Sequence, residues 1–411
     1  MIIIFNALNF SPEIVGNAKY TSEKVFWLSK KVKKIIVITT NPYYPQWKCY
    51  SNKYKREENK RIIVLRCPVY IPKKINGLTK IIHYFSFLLS SLPIAIYSIK
   101  FKPDLIFTVC PTFFSVPSTF LISALTKIFF KKKVKTWIHY QDLEIEAAFN
   151  LKILKGKTLK KIILFFEKII INQFSVISTI SNGMMGKLQK KIDKNKKILF
   201  LPNFIECNKK VVNYQNKKDN PLFKELNLPN ECKIVMYSGS LNEKLSYRSL
   251  INAIKYLKDR KNIFFIISGE GPLKDYLLKN LEGFDNAIIK PFQPVDKLQS
   301  WLNIADIHLI PQKLSVSNLV LPSKLLGILS SQKPVIGFAP EESDLGKILD
   351  EVGVRIPKEE PELLAKGILN LTENIELRRE LGLRGYEYVK KYYDKESVLT
   401  QLFLNIKKII N

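Results

Sequence analysis

Residues 1–40 read MIIIFNALNFSPEIVGNAKYTSEKVFWLSKKVKKIIVITT, and they decide the fold. An apolar run, Ile2–Ala7, is followed by a loop, a helical pattern from near Lys19 to about Lys30, and a second apolar run, Lys34–Thr39. Alternation of this kind builds a parallel sheet covered by helices. Working outward, apolar runs recur at Ile62–Arg66, Leu105–Val109, Lys135–Ile138, Val176–Ile180 and Ile198–Leu201. After Pro202-Asn203, the Lys- and Asn-rich stretch Glu206–Asn220 reads as a linker. The alternation then restarts at Lys233–Tyr237, Ile263–Ser268, Ala287–Lys290, Ile307–Ile310 and Pro334–Gly337, with helices near Ser249–Lys258 and from Pro272 and Ser323. Ile375–Ile410 reads as one helical segment. The pattern predicts an α/β protein of two doubly wound, Rossmann-like domains, residues 1–204 and 221–385, followed by a helical piece at 386–411.

A chain of 411 residues, 46% hydrophobic and 25% charged, has the composition of an ordinary globular protein with a full core. That excludes a disordered tail, a collagen-like chain and a disulfide-stapled mini-domain. The abnormal figure is the net charge of +30, from 66 basic and 36 acidic residues. A basic surface suits phosphate-bearing partners, while fifty-seven Lys amid abundant Ile and Asn also fit a background compositional bias. With only nine Arg, the residue suited to bidentate phosphate recognition, nucleic acid is not expected as a partner. Five cysteines without a CxxC pair and three scattered histidines point to a reduced, cytoplasmic setting and no metal site. The N-terminus lacks the basic region and small-residue cleavage site of a signal peptide.

Ile81–Ile99 is nineteen residues long with no Asp, Glu, Lys or Arg. Three readings stand: a membrane span, a helix lying in the membrane interface between flanking lysines, and an ordinary domain helix. Its serines, tyrosines and Pro93 make it a poor lipid-facing span.

In open α/β sheets, ligands bind beyond the carboxyl ends of the strands, so the loops there carry the chemistry. The first runs from Asn9 through Gly16 to Tyr20, with glycine permitting close backbone approach and a helix N-terminus suited to an anion. The second, Thr40–Trp47, carries Tyr43, Tyr44 and Trp47, which suit sugar rings or a packed surface. The third places His139 and Asp142 directly after a strand. In the second half, Gly239, Ser240 and Lys244 follow one strand, and Gly269 and Gly271 follow the next. Leu321-Pro-Ser323-Lys324 opens a helix that Ser323 is expected to cap. Together these three loops suit a phosphate.

These motifs resemble the retaining glycosyltransferases of family 4, and within them the colanic-acid-type exopolysaccharide transferases. The resemblance spans nearly the whole chain: Asn9-Phe-Ser-Pro-Glu with Gly16 and Lys19-Tyr-Thr21, Pro42-Tyr-Tyr-Pro-Gln-Trp47, Arg66-Cys-Pro, His139-Tyr-Gln-Asp142, Tyr237-Ser-Gly239, Glu243-Lys244 and Leu321-Pro-Ser-Lys324. It implies the GT-B fold, two Rossmann-like domains facing a cleft with C-terminal helices packing back toward the N-terminal domain. A nucleotide-sugar donor would lie on the C-terminal domain, with Lys244 on its diphosphate, Ser323 and Lys324 holding phosphate or sugar, and Phe292 and Gln293 meeting the base. Gly239, Ser240, Gly269, Gly271 and Leu321 would complete that site, and Gly16 would approach the reacting centre. His139 and Asp142 would line the acceptor side and, with Lys244, make up the catalytic residues, with Tyr43, Tyr44, Trp47, Lys19 and Tyr20 binding acceptor. The acceptor implied is a lipid-linked oligosaccharide at the inner leaflet of the cytoplasmic membrane. No metal or other cofactor is expected, since lysines and helix starts would stabilise the leaving diphosphate, whose own oxygen would take the acceptor proton.

The sequence departs from the family at three positions. Ser240 stands where many relatives have arginine, Gly327 where most have a ribose-binding glutamate, and Leu319 where a sugar-facing glutamate is usual. Two other readings remain: a sugar-nucleotide epimerase of the same fold, and a non-enzymatic basic protein binding membrane or nucleic acid.

Overall fold

The computed structural model describes the chain apart from residues 14–15, 45, 49, 75, 111–112, 152–153, 208–216, 295 and 411. Most of the expected linker lies outside the described residues. The chain divides into two compact units, Met1–Asn203 with Ser397–Asn411, and Phe204–Glu396.

The N-terminal unit holds an eight-stranded sheet: β1 (Ile2–Asn6), β2 (Lys34–Thr40), β3 (Lys55–Asn59), β4 (Ile62–Cys67), β5 (Leu105–Cys110), β6 (Lys135–Tyr140), β7 (Val176–Thr179) and β8 (Ile198–Phe200). Its order is β3-β4-β2-β1-β5-β6-β7-β8, parallel except for β3. The second unit holds β9 (Lys233–Ser238), β10 (Ile263–Ser268), β11 (Ala287–Lys290), β12 (Ile307–Ile310), β13 (Val335–Phe338) and β14 (Val354–Ile356), ordered β11-β10-β9-β12-β13-β14. In each sheet the chain winds outward in both directions from one central strand. The switch points fall between β1 and β5 and between β9 and β12, where such sheets open a crevice for ligands.

The central strands are continuous apolar runs because both sheet faces are covered. Ile4, Ile36, Ile63 and Ile106 of neighbouring strands pack with Phe87 and Ala95 of the helix Gly77–Ser98. That helix therefore covers the sheet. Together with Phe113–Phe130 it is long and apolar enough to cross a membrane by length and composition, yet Gly77–Ser98 packs against β2 and β4 and Val116–Phe130 against β5 and β6. Right-handed crossovers put these helices and Lys157–Ile171 on one face of the sheet and Asn17–Ser29 on the other.

Two strands escape the sequence reading. β3 is exposed along its whole length and consists of Lys-Arg-Glu-Glu-Asn, a charged edge strand with no apolar alternation to reveal it. It is held by pairing with β4 and by Arg66, whose guanidinium donates to both Glu57 carboxylate oxygens at 2.6 and 3.0 Å. β14 is only three residues long. The expected single helix Ile375–Ile410 is corrected to Ile375–Tyr392 and Lys395–Ile410. Ile205 breaks it, donating its N–H to the Tyr393 carbonyl and accepting from the Lys395 N–H, both at 2.9 Å. The division at 386 is likewise replaced by one at 397, beyond which the last helix joins the N-terminal unit, with Phe403 on Trp27 at 6.4 Å.

Candidate active site

In the C-terminal unit, Tyr237, next to last in β9, is a buried ring, and its hydroxyl donates to the Ser240 carbonyl at 2.7 Å. The Lys324 ammonium lies 3.5 Å from the centre of this ring, a favourable cation–π arrangement. A Cβ on Gly239 would stand 2.7 Å from Lys324 Nζ, so glycine keeps the space that the ammonium occupies. Among the described residues no carboxylate pairs with Lys324, and burial pushes its pKa down to about 7. An ammonium desolvated without a counter-charge is stabilised strongly by an anionic ligand.

The neighbouring loops are stitched to this point. Gly239 N–H donates to Ser268 O, Leu241 N–H to Glu270 O, and Lys313 N–H to Lys244 O, each at 2.9 Å. Lys244 N–H also donates to Asn242 Oδ1 at 3.0 Å. The loops after β9, β10 and β12 thus form one hydrogen-bonded rim on which Gly239, Ser240, Lys244, Gly269 and Gly271 converge. Gly269 and Gly271 have a packing role that motif reading did not supply: added Cβ atoms would meet Gly239 O at 1.9 Å and Leu241 O at 2.3 Å. Phe292 and Gln293 are half-buried after β11, where Ser268 Oγ donates to Pro291 O at 2.9 Å. Leu321 is half-buried and Leu319 buried. The expected cap is corrected: Ser323 is exposed, with helical backbone angles, and its side chain makes no capping hydrogen bond.

In the N-terminal unit, Gly16 has φ +58 and precedes the helix Asn17–Ser29. Nothing lies within 4 Å of a Cβ built there, so conformation rather than space demands glycine. Glu13, assigned no role from the sequence, organises this end of the sheet. Its buried carboxylate accepts the Tyr43 and Tyr44 N–H groups on Oε1 and Asn9 Nδ2 on Oε2, all at 2.8 Å. Arg66 adds a second tie, donating to Ser11 O at 2.6 Å and Thr40 O at 3.2 Å. The aromatic loop is thereby fixed, and its rings stack inward. Tyr43 lies 4.6 Å from the His83 ring and 5.3 Å from Trp47. This corrects the expectation of a sugar platform at Tyr43, which is buried as the loop's own core; Tyr44 and Trp47 keep partial exposure. Tyr20 is also buried, and Lys19 remains partly exposed with its ammonium 5.5 Å from the Tyr20 ring centre.

His139, expected to touch substrate, is fully enclosed. Lys24 Nζ at 3.2 Å and Gln141 Nε2 at 2.8 Å both face its Nε2, and Ser178 Oγ lies 2.9 Å from Nδ1. Trp137 Nε1 donates to the same Ser178 oxygen at 2.7 Å. These partners select the neutral ring that accepts on Nε2 and donates from Nδ1. Burial and the Lys24 charge hold its pKa well below the usual histidine range. In this conformation His139 presents no surface to a substrate, whereas Asp142 is half-buried. Lys24 was legible in principle, because Tyr20, Lys24 and Leu28 share the buried face of one helix at a spacing of four.

Burial lowers the Lys24 pKa to about 7. The folded protein therefore binds fewer protons there than the unfolded chain between about pH 7 and the ordinary lysine range. The stability cost of this lysine is full below that window and is relieved as pH rises through it. Lys24→Met should lower the slope of unfolding free energy against pH, measured by urea titration from pH 7 to 9, by about 1.4 kcal/mol per pH unit. An unchanged slope would show that the ammonium is not buried.

Two α/β units, each with loops gathered at its switch point and one carrying there a cation that no carboxylate pairs among the described residues, define a GT-B-type glycosyltransferase. The family described as "Glycosyl transferases group 1" matches residues 218–388. The chain is 33% identical over 425 aligned residues to WcaI of Escherichia coli K12, named as a glycosyl transferase of colanic acid biosynthesis, covering 99% of this chain and 100% of that one. Among solved structures, sucrose-phosphate synthase from Thermosynechococcus elongatus superposes with a TM-score of 0.75 at 15% identity, covering 99% and 98% of the two chains. HepE of Anabaena, solved with UDP-glucose, gives 0.70 at 12% identity over 99% and 100%. The chain belongs to the group 1 glycosyl transferases, and it is a glycosyltransferase enzyme.

Proposed function

We propose that this enzyme transfers a sugar from a nucleotide-sugar donor, held by the C-terminal unit, to a lipid-linked oligosaccharide held by the N-terminal unit, with retention of anomeric configuration. The work would be done in the cytoplasm, at the inner face of the membrane, during assembly of a surface polysaccharide. One observation carries the donor half of this reading: the Lys324 ammonium, desolvated and with no carboxylate paired to it among the described residues, seated over Tyr237 beside Gly239 at the switch-point rim. A diphosphate supplies the missing negative charge, and Lys244 on the same rim adds a second cation. The likeness to WcaI supports the polysaccharide setting.

In the reaction, the bond from the sugar anomeric carbon to the diphosphate breaks. A bond to the acceptor oxygen forms on the same face, and the acceptor proton passes to the departing phosphate oxygen. The protein need supply no base, in keeping with the neutral, enclosed His139. Charge developing on the leaving diphosphate is met by fixed lysines, electrostatic stabilisation of the kind that often dominates catalysis. No metal is required in this scheme.

The test is a thermal-shift screen against UDP-, GDP-, CMP- and dTDP-linked sugars. A donor at 100 times its dissociation constant should stabilise the protein by about 2.7 kcal/mol, with one nucleotide standing out. No response to any of them would overturn the donor assignment.

A further inference from the structure

We propose that the helix Lys157–Ile171 is the element that docks the enzyme on an anionic lipid surface. This deepens the lipid-linked acceptor reading and rests on it. The sequence KTLKKIILFFEKIII places Leu159, Ile162, Phe165, Phe166 and Ile169 at spacings of three and four, on one side of the helix. All five are exposed, Phe165 at 60% and Phe166 at 57%. The helix buries only Glu167 and Ile171. It is held to its unit through polar contacts, with the Glu167 carboxylate accepting from Lys191 Nζ at 2.5 Å and Tyr140 OH at 3.3 Å. A helix anchored in this way leaves its apolar side outward.

The charges on the helix choose the occupant. Lys157, Lys161 and Lys168 line one edge of the apolar side, and the single acid, Glu167, is turned inward and already paired. A second copy of the chain is disfavoured, because a two-fold contact would bring these lysines against their own equivalents. A bilayer with anionic headgroups meets both needs. Its acyl boundary takes the phenylalanines, and its phosphates take the lysines. The surface is also wider than one helix. The crossovers set Gly77–Ser98 and Val116–Phe130 on the same face of the sheet, and these expose Leu89 at 53% and Phe129 at 66%.

Sedimentation of the full-length protein with phosphatidylcholine vesicles, with and without phosphatidylglycerol, tests the assignment. The protein should pellet only with the anionic vesicles and be released by salt. Phe165→Ser/Phe166→Ser should weaken that binding by at least about tenfold. Phe166→Trp should report entry into the bilayer by a blue-shifted emission. The nucleotide-sugar thermal shift, read on the same variants, should be unchanged. Wild-type affinity in the double variant, or no preference for phosphatidylglycerol, would overturn the proposal. So would a wild-type dimer that the double variant dissociates, since a second copy would then cover the face. Absence of the thermal shift in the unsubstituted protein would instead count against the donor reading and leave the vesicle result standing.

Discussion

Replacing Lys324 with alanine should lower kcat/KM by about 100- to 1,000-fold, the range seen when one preorganised donor to a developing anion is lost. The more telling result is the pH dependence of nucleotide affinity. In the free enzyme the Lys324 pKa stands at about 7, lowered by burial. Below that value the ammonium is already charged and binding takes up no proton. Above it, a diphosphate must bring a proton with it, so affinity should fall about tenfold for each pH unit between roughly 7.5 and 9.5, equivalent to about 1.4 kcal/mol per unit. Calorimetric titration of the wild type should show this slope, and Lys324→Ala should bind weakly and without it. A flat wild-type profile would mean that Lys324 does not face the diphosphate. Arginine should not rescue, because Gly239 leaves room for the ammonium alone, with a Cβ there only 2.7 Å from Nζ.

Gly269→Ala should be nearly as damaging, for a different reason. Its Cβ would stand 1.9 Å from the Gly239 carbonyl oxygen and 3.3 Å from the Leu241 side chain. The oxygen is backbone and cannot rotate away. The two loops must separate, straining the bonds from Gly239 to Ser268 and from Leu241 to Glu270. A cost of about 3 kcal/mol follows from forced overpacking, lowering Tm by roughly 6–12 °C for a unit of this size. Because Gly239 is displaced along with its loop, the seat of Lys324 moves and the nucleotide-induced shift should vanish. Gly327→Ala is the matched control. Its Cβ meets only Leu302 at 3.6 Å, an ordinary contact within a helix, so it should be neutral or stabilising by up to about 1 kcal/mol. Equal melting and equal donor response in both variants would show that the loop contact carries no weight.

The organisation of the site explains why glycines and aromatics in such motifs are easily given the wrong task. Gly239 faces the cation, whereas Gly269 and Gly271 let backbone meet backbone. Tyr43 is the hub under its loop, contacting His83 and Trp47, and only Tyr44 and Trp47 retain surface. Glu13 accepts two N–H groups of that loop from a neighbouring one. The aromatic residues therefore present a preset shape to whatever binds there.

The sequence alone determined the architecture, because burial on both faces of a parallel sheet writes continuous apolar runs and the crossovers between them write helical periods. Twelve of the strands were legible for that reason, as were the loops on which ligand-binding residues fall. The charged edge strand β3 was not, since an exposed edge needs no apolar pattern. Nor was the break at Tyr393 and Asp394, which is made by Ile205, far away in the chain. Only the tertiary structure decided which polar side chains lost their water. Lys324 could be picked out from its motif, but the absence of a carboxylate beside it among the described residues is a fact of three dimensions. Lys24, Glu13 and His139 look like three more polar residues until the fold encloses them. Desolvation and hydrogen-bond partnership depend on atoms brought together from distant strands, and that proximity gives these groups their altered chemistry.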